Sequence, residues 1–351
     1  MESSARLRTA PSFTRPSSPA AACLHLIRHF QPVMRSTLIE GTGRSQPTVT
    51  RAVSALIGAD LVRERPDLST PTGPGRPTIP LELATSPWIQ IGVAVGTKAT
   101  YIGAVNSRGA VLREQMIDVT PSAITVDEFI EIVATHTNNL AKFSELPIAN
   151  FGMTTSGVVT DTGMVTAPNL GWENTDVVSR LRRRIHVPIT VTSVITAIAG
   201  AEQQAQSPAR PARVLVFYAD DSIGAAVASP EGVQLLPVRH LRSLEDSATN
   251  LAAKVNPAEI VLAGSAFEVP TTARAVGRAL RQVAGDAEIR VIPTHLDNAR
   301  AAARAVALDR LIDDPLGLAK RLASASSAPA AGAVSGLGTG AKRRPQPGFG
   351  R

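Results

Sequence analysis

The chain has 351 residues, of which 44% are hydrophobic and only 3% aromatic, with six histidines and a single cysteine, Cys23. That length allows more than one core, and the apolar content excludes a disordered chain. One cysteine excludes both an intrachain disulfide and a cysteine-rich zinc site. The net charge of +7 is unevenly spread. Residues 1–83 hold ten arginines against six acids, residues 84–320 hold 21 basic and 23 acidic residues, and residues 321–351 hold five basic residues and no acid. A nucleic-acid partner therefore belongs at the ends rather than on the middle.

In chain order, residues 1–20 are rich in Ser, Pro and Arg and predict a flexible basic arm with no signal-peptide pattern. Apolar spacing predicts a first helix over 21–31, ended by Pro32, and a short second one over 34–39. Gly41 and Gly43 punctuate the second. Ser45 is a candidate N-cap for a third helix to about Ile57, with Pro47 in its first turn. A short strand at 61–64, the Pro- and Gly-rich loop 66–80 and a return strand at 78–83 complete a candidate winged helix–turn–helix over 21–83. From residue 86 strand-like runs alternate with helical ones. Helices are expected at 125–142, 175–185, 194–205, 243–254, 271–284 and 298–312, with strands between them. That alternation, repeated in both halves, predicts two α/β lobes at about 86–190 and 191–320. Residues 321–351 predict a disordered basic tail. The longest apolar runs, such as 193–201, fall short of a membrane span, so no membrane partner and a cytoplasmic location are expected.

On a helical wheel Val49, Val53, Leu56 and Ile57 share one side of the third helix, while Arg51, Ser54 and the Pro47–Thr48 end face away. Arg44, Ser45 and Gln46 lie at its start, and Thr50 is on the flank within reach of a phosphate. Such a face suits a major groove: arginine reads guanine edges, and hydroxyls reach phosphates or bases. Arg76, in the rigid "GPGRP" of 73–77, is placed for a narrow minor groove. The bland alternative is a helical hairpin whose polar face meets only water.

The stretch "RSTLIEGTGRSQPTVTRAVSALIGADLVRE", followed by "GRPTIPLEL", resembles the winged helix–turn–helix of the ROK family of repressors, open reading frames and sugar kinases. "IGVAVGTKATYIGAVNSRGAVL" resembles that family's first phosphate-loop region. "GMTTSGVVTDTGMVTAPNLGWENTDV" resembles its glycine-spaced stretch leading into an Asn-Leu-Gly-Trp segment. "PAEIVLAGS" and "ARAAARAVALDRLIDDPL" resemble its C-terminal strand and final helix. The resemblance covers about residues 22–318. It implies an actin-like, ribonuclease H-like two-lobed domain behind the winged helix, and a bacterial transcription regulator, usually oligomeric and often answering to a sugar.

Three departures bear on chemistry. Ala94 stands where the resemblance implies the metal- and phosphate-handling aspartate, although Gly96, Thr97 and Lys98 remain. Thr192 and Ser193 stand where the family's kinases carry an Asn-Asp pair with the catalytic base, and a serine hydroxyl cannot deprotonate a sugar hydroxyl as a carboxylate does. The zinc cysteines are missing from the segment after Gly224, where His240 and Glu245 do not sit in the expected motif. The expectation is a non-enzymatic regulator, a repressor, with no metal or other cofactor. It would act as a homodimer or higher homo-oligomer on an inverted-repeat site in double-stranded DNA. The candidate effector cleft for a small molecule comprises Gly96, Thr97, Asn169, Thr192 and Ser193. A metabolite receptor that does not bind DNA, and a divergent ATP-dependent sugar kinase, are the alternatives.

Overall fold

The structure, a computed structural model, describes residues 8–69, 78–85, 87–206, 212–239 and 241–327. Three helices come first: α1 (Pro19–Phe30), α2 (Arg35–Thr42) and α3 (Gln46–Gly58). Ser18 opens α1 by accepting the Ala21 N–H at 3.1 Å, with Pro19 in the first turn where a missing N–H costs nothing. Gly43, left-handed at φ +63°, closes α2 by donating its N–H to the Ile39 carbonyl. A two-stranded antiparallel sheet follows, β1 (Val62–Glu64) against β2 (Leu81–Leu83). Leu24, Ile27, Leu38, Val49, Val53 and Leu56 bury the faces that the three helices turn to one another.

The two-stranded sheet is tied by charge. Glu82 on β2 accepts from Arg63 Nε at 2.6 Å and from Arg65 Nη1 at 2.7 Å, with Arg108 at 3.8 Å. Burial by itself would raise the Glu82 pKa, but the Arg63 and Arg65 guanidiniums outweigh it and hold the carboxyl below its ordinary value. The folded state therefore binds fewer protons here than the unfolded chain. The stabilisation is present above the ordinary glutamate pKa of about 4.3 and is lost as pH falls through the folded value. Denaturation midpoints at pH 7 and pH 4 are expected to lie closer together in Glu82→Gln than in the parent.

Next come β3 (Ile89–Val95), β4 (Thr100–Val105), β5 (Val111–Ile117), α4 (Val126–Ser144), β6 (Ile148–Thr155), β7 (Val158–Val159), β8 (Met164–Ala167), β9 (Trp172–Asp176), α5 (Val177–Arg182), β10 (Ile189–Ser193) and α6 (Val194–Ala205). The chain continues through β11 (Val214–Ala219), β12 (Ile223–Ser229), β13 (Gly232–Leu236), α7 (Leu244–Val255), β14 (Glu259–Ala263), α8 (Pro270–Val283), β15 (Glu288–Val291), α9 (His295–Asp313) and α10 (Pro315–Ser327). Two five-stranded mixed sheets result, ordered β10-β6-β3-β4-β5 and β13-β12-β11-β14-β15, with a small β7-β8-β9 sheet beside the first. In each large sheet two antiparallel pairs are followed by two parallel ones, so one topology is used twice.

The lobes do not divide at residue 190. Strand β10 completes the first sheet as far as Ser193, and α9 returns from the second half of the chain to pack on β3, β4 and β6. Close approach makes this possible. A Cβ on Gly92 of β3 would lie 2.3 Å from the Ala303 carbonyl oxygen, so only glycine admits the alanine face of α9 at that depth. Helix α6 packs on α9 and on the second sheet, so the pair forms a layer between the lobes.

Residues 8–18, expected as part of a flexible arm, are docked. The Val191 N–H of the edge strand β10 donates to the Thr9 carbonyl at 2.9 Å. Asp309 of α9, 2% exposed, accepts the Ser12 and Phe13 N–H groups, each at 3.1 Å, and pairs with Arg8 at 2.7 Å. Phe13 is buried against Ala305 and Val306. A Cβ on Gly200 of α6 would come within 2.6 Å of its ring, so the small residue makes room for it. The segment thus straps both lobes at the α6–α9 layer. Residues 1–7 lie outside the described residues. At the other end α10 continues to Ser327, past the expected start of the tail at 321, because Leu318 buries beside the first helices. The expected disorder of 328–351 falls outside the described residues.

Candidate nucleic-acid interface and interlobe cleft

Helix α3 divides its residues cleanly. Val49, Ala52, Val53 and Leu56 are buried, whereas Gln46, Thr50, Arg51 and Ser54 are exposed and Thr48 is half-buried. Ile57, expected with the buried set, is half-buried. The exposed set runs along one stripe from the first turn, carries one guanidinium and two hydroxyls, and includes no acid. Ser45 does occupy the N-cap position, but its side chain makes no cap hydrogen bond. Its hydroxyl instead lies 3.0 Å from that of Thr48. Arg44, just before the helix, is exposed and donates to the Ser17 carbonyl at 3.1 Å. Arg76 and the rest of 70–77 lie outside the described residues.

This unit is fused to the rest of the molecule. The core that holds α1 to α3 also contains Trp88, Ala149, Leu308, Leu311, Ile312 and Leu318. Arg108, at the β4–β5 turn, donates to the Leu83 carbonyl of β2. Helix α9 therefore packs directly on the unit that carries the exposed stripe.

Between the lobes lies a cleft of about 370 Å³. The β3–β4 turn contributes Gly96, Thr97 and Lys98; Asn169 and Ser156 form another wall; and the β11–β12 turn contributes Asp220 and Asp221. The Thr97 hydroxyl donates to Asp221 Oδ2 at 2.9 Å, so the two hairpin turns are latched across the cleft. Asp220 gathers three groups: the Tyr218 hydroxyl at 2.9 Å, the Ser265 hydroxyl, and His295 Nδ1 at 3.6 Å. Burial and the neighbouring Asp220 push the Tyr218 phenol pKa well up, so it stays a donor to that carboxylate.

Of the expected effector residues, Gly96, Thr97 and Asn169 line this cleft, and Asn169 Oδ1 accepts from Ser156 Oγ at 2.8 Å. Thr192 and Ser193 do not line it. Both are buried at the end of β10, and Ser193 is committed to capping α6 by accepting from the Thr196 N–H at 3.3 Å. Asp220, Asp221 and His295 were not anticipated. The doubled carboxylate in "YADDS" between two strand-like runs was the available signal for the first two. His295 had none, because it reaches the cleft only through the return of α9. Trp172 is 1% exposed and meets Phe129 edge-on at 5.3 Å, which makes it a packing residue. Ala94 is packed beside Tyr101, Ala299 and Ala303, with no carboxylate at its place on β3. His240 lies outside the described residues, and Glu245 sits in the first turn of α7. Among the described residues no group of three or more His, Cys, Asp or Glu side chains is placed to hold a metal ion, and no helix is long and apolar enough to cross a membrane.

A family model described as the ROK family matches residues 90–234. Curated relatives named as transcriptional regulators, from Mycobacterium tuberculosis and Mycobacterium bovis, are 32% identical over 193 residues, which is 55% of this chain and 44% of theirs. The chain thus spans less than half the length of these relatives. Among solved structures, a ROK family transcriptional regulator described as a homolog of the E. coli MLC protein superposes with a TM-score of 0.63 at 15% identity, covering 86% of this chain and 98% of its own. A ROK family glucokinase from Streptomyces griseus, solved with glucose and AMPPNP, gives 0.50 at 14% identity, covering 62% of this chain and 99% of its own. These likenesses show a common fold. The family match adds that residues 90–234, which run from β3 into β13 across the α6 layer, are similar to the ROK family.

Proposed function

We propose that the chain is a sequence-specific DNA-binding transcriptional regulator, a repressor, in which residues 21–83 form a winged helix–turn–helix and α3 is the recognition helix. The exposed acid-free stripe Gln46–Thr50–Arg51–Ser54 carries this reading. A helix fits the major groove, Arg51 offers a bidentate fork to guanine, and Thr50 and the uncapped start of α3 suit a backbone phosphate. The names of the curated relatives support it. Two copies related by a two-fold axis would read an inverted repeat. In anisotropy competition, affinity for the protein's own site is expected to exceed that for random duplex by about 10³ or more. A ratio near one would sink the reading.

The ROK domain is proposed to act without catalysis, as a dimerisation platform and sensor. Its cleft presents Asp220 and Asp221, and their carboxylates would repel a triphosphate entering it. Ala94 offers no carboxylate for Mg²⁺, and Ser193 offers no general base, so the residues present do not fit Mg²⁺–ATP phosphoryl transfer. Incubation with ATP, Mg²⁺ and glucose or N-acetylated sugars is expected to form no sugar phosphate beyond the protein-free blank. A small polar effector with hydroxyl or cationic groups suits this cleft. By parting Thr97 from Asp221 it would move the lobes, α9 and the helices fused to α9.

A further inference from the structure

Cationic side chains gather between the strap and the first helices, and the reading above gives them no role. Residues 15–17 pass the corner of α1 and α2 and enclose a second cavity of about 370 Å³. Arg15, Ser17, His25, Thr42 and Arg44 line it, and no lining residue carries a carboxylate. Its walls therefore offer two guanidiniums, the Ser17 hydroxyl and an imidazole, the Thr42 hydroxyl being engaged with the Leu38 carbonyl at 2.6 Å. His25 is 7% exposed, and its Nδ1 has no hydrogen-bond partner. The His29 ring meets it edge-on at 4.5 Å. Next to these histidines, Arg28 has buried Nε and Nη1 groups that are also unpartnered, with Arg304 of α9 as a further positive neighbour.

The buried Nε and Nη1 of Arg28, behind the cavity wall, lack a partner and a counter-charge, which is costly, since buried polar atoms normally find partners. The imidazole responds by losing its proton: burial, then His29, Arg28 and Arg15, hold the His25 pKa down to about 3. Among the described residues no acid is ion-paired with Arg15, Arg28, Arg44 or Arg304. What the guanidiniums lack is negative charge and acceptor oxygens; the neutral His25, bonded to the Gln206 backbone, serves as a wall of the cavity and not as an anion ligand.

We propose that this cavity binds a small phosphorylated metabolite, its phosphate held by the forks of Arg15 and Arg44 and by the Ser17 hydroxyl. Planar guanidiniums bind phosphate bidentately, and the volume exceeds what inorganic phosphate alone would fill. Depth favours a free ester over a phosphate of duplex DNA, because the cavity reaches the nearly buried His25 whereas a duplex backbone meets only the rim. The site also bears on regulation. Arg44 lies two residues before the start of α3, so a ligand that takes Arg44 removes a positive charge from the edge of the proposed DNA face. That consequence rests on the DNA-binding reading, but the binding itself does not.

The test is calorimetric titration of the full chain with pyrophosphate, without DNA and at constant ionic strength set with chloride. Saturable binding is expected. Arg15→Gln and Arg44→Gln should each weaken it roughly tenfold or more, the size expected for losing one charge-assisted pair. Both positions are exposed, so both variants should keep the parent's circular dichroism, and Arg183→Gln on the far surface should leave binding unchanged. No saturable binding in the parent, or equal binding in all variants, overturns the proposal. So does a result in which Arg15→Gln weakens only duplex DNA, which would make the rim a backbone contact. Because the titration contains no DNA, its failure is separate from failure of the DNA-binding reading.

Discussion

Arg51→Ala is expected to weaken binding to the protein's own DNA site by about 10- to 100-fold while leaving affinity for random duplex nearly unchanged. The magnitude follows from about 1–3 kcal/mol of discrimination per bidentate arginine–guanine pair. The asymmetry follows from position. Arg51 lies on the second turn of α3, exposed and free of any ion pair among the described residues, so its guanidinium is available to a base edge. Non-specific affinity depends on the number of phosphates neutralised, which one arginine changes little. Parallel anisotropy titrations on specific and random duplexes measure both quantities. An equal loss on the two would reassign Arg51 to the phosphate backbone and leave base reading without its main donor.

Asp309→Ala is expected to destabilise the fold by about 3–5 kcal/mol, the usual cost of removing one partner from a buried charged cluster. Its carboxylate is the single acceptor on which Arg8 and the Ser12 and Phe13 N–H groups converge. Without it the strap loses its anchor, Phe13 loses its seat, and buried donors are left unpaired. Asp313→Ala is the control. Asp313 meets the same Arg8 at 3.2 Å but is 40% exposed, so its loss should cost about 0–1 kcal/mol. Chemical denaturation of the two variants gives the contrast. Faster amide exchange of residues 9–13 in Asp309→Ala alone would show that the strap has been released.

What could be read in advance follows from the range of the interactions. The three N-terminal helices were legible to within a few residues because Pro32, Gly43 and Pro47 mark their ends and the apolar spacing marks their faces. The alternation of strands and helices gave two lobes for the same reason. The strap could not be read: "TAPSFTRPSSP" has no periodicity, and its order comes from Asp309, nearly three hundred residues away in the chain. The lobe boundary failed similarly, since a helix late in the sequence returns to the first sheet through Gly92 and its own alanines. Of the expected effector residues, Gly96, Thr97 and Asn169 line the interlobe cleft. Thr192 and Ser193 do not, because the hydroxyl of Ser193 is consumed in starting α6. Local pattern carried the elements; what long-range packing does to a side chain had to be seen in three dimensions.

The central claim, that α3 reads a DNA sequence on behalf of a paired molecule, is tested most directly by selection from a random duplex pool. The full chain is incubated with the pool at about 0.15 M salt, near the physiological screening length, and the bound fraction is sequenced. The account predicts an enriched inverted repeat whose half-sites lie one helical turn, or a multiple of it, apart. Retention of the pool without enrichment would contradict it. The basic ends would then be generic phosphate binders, and the exposed stripe of α3 would be a surface facing water.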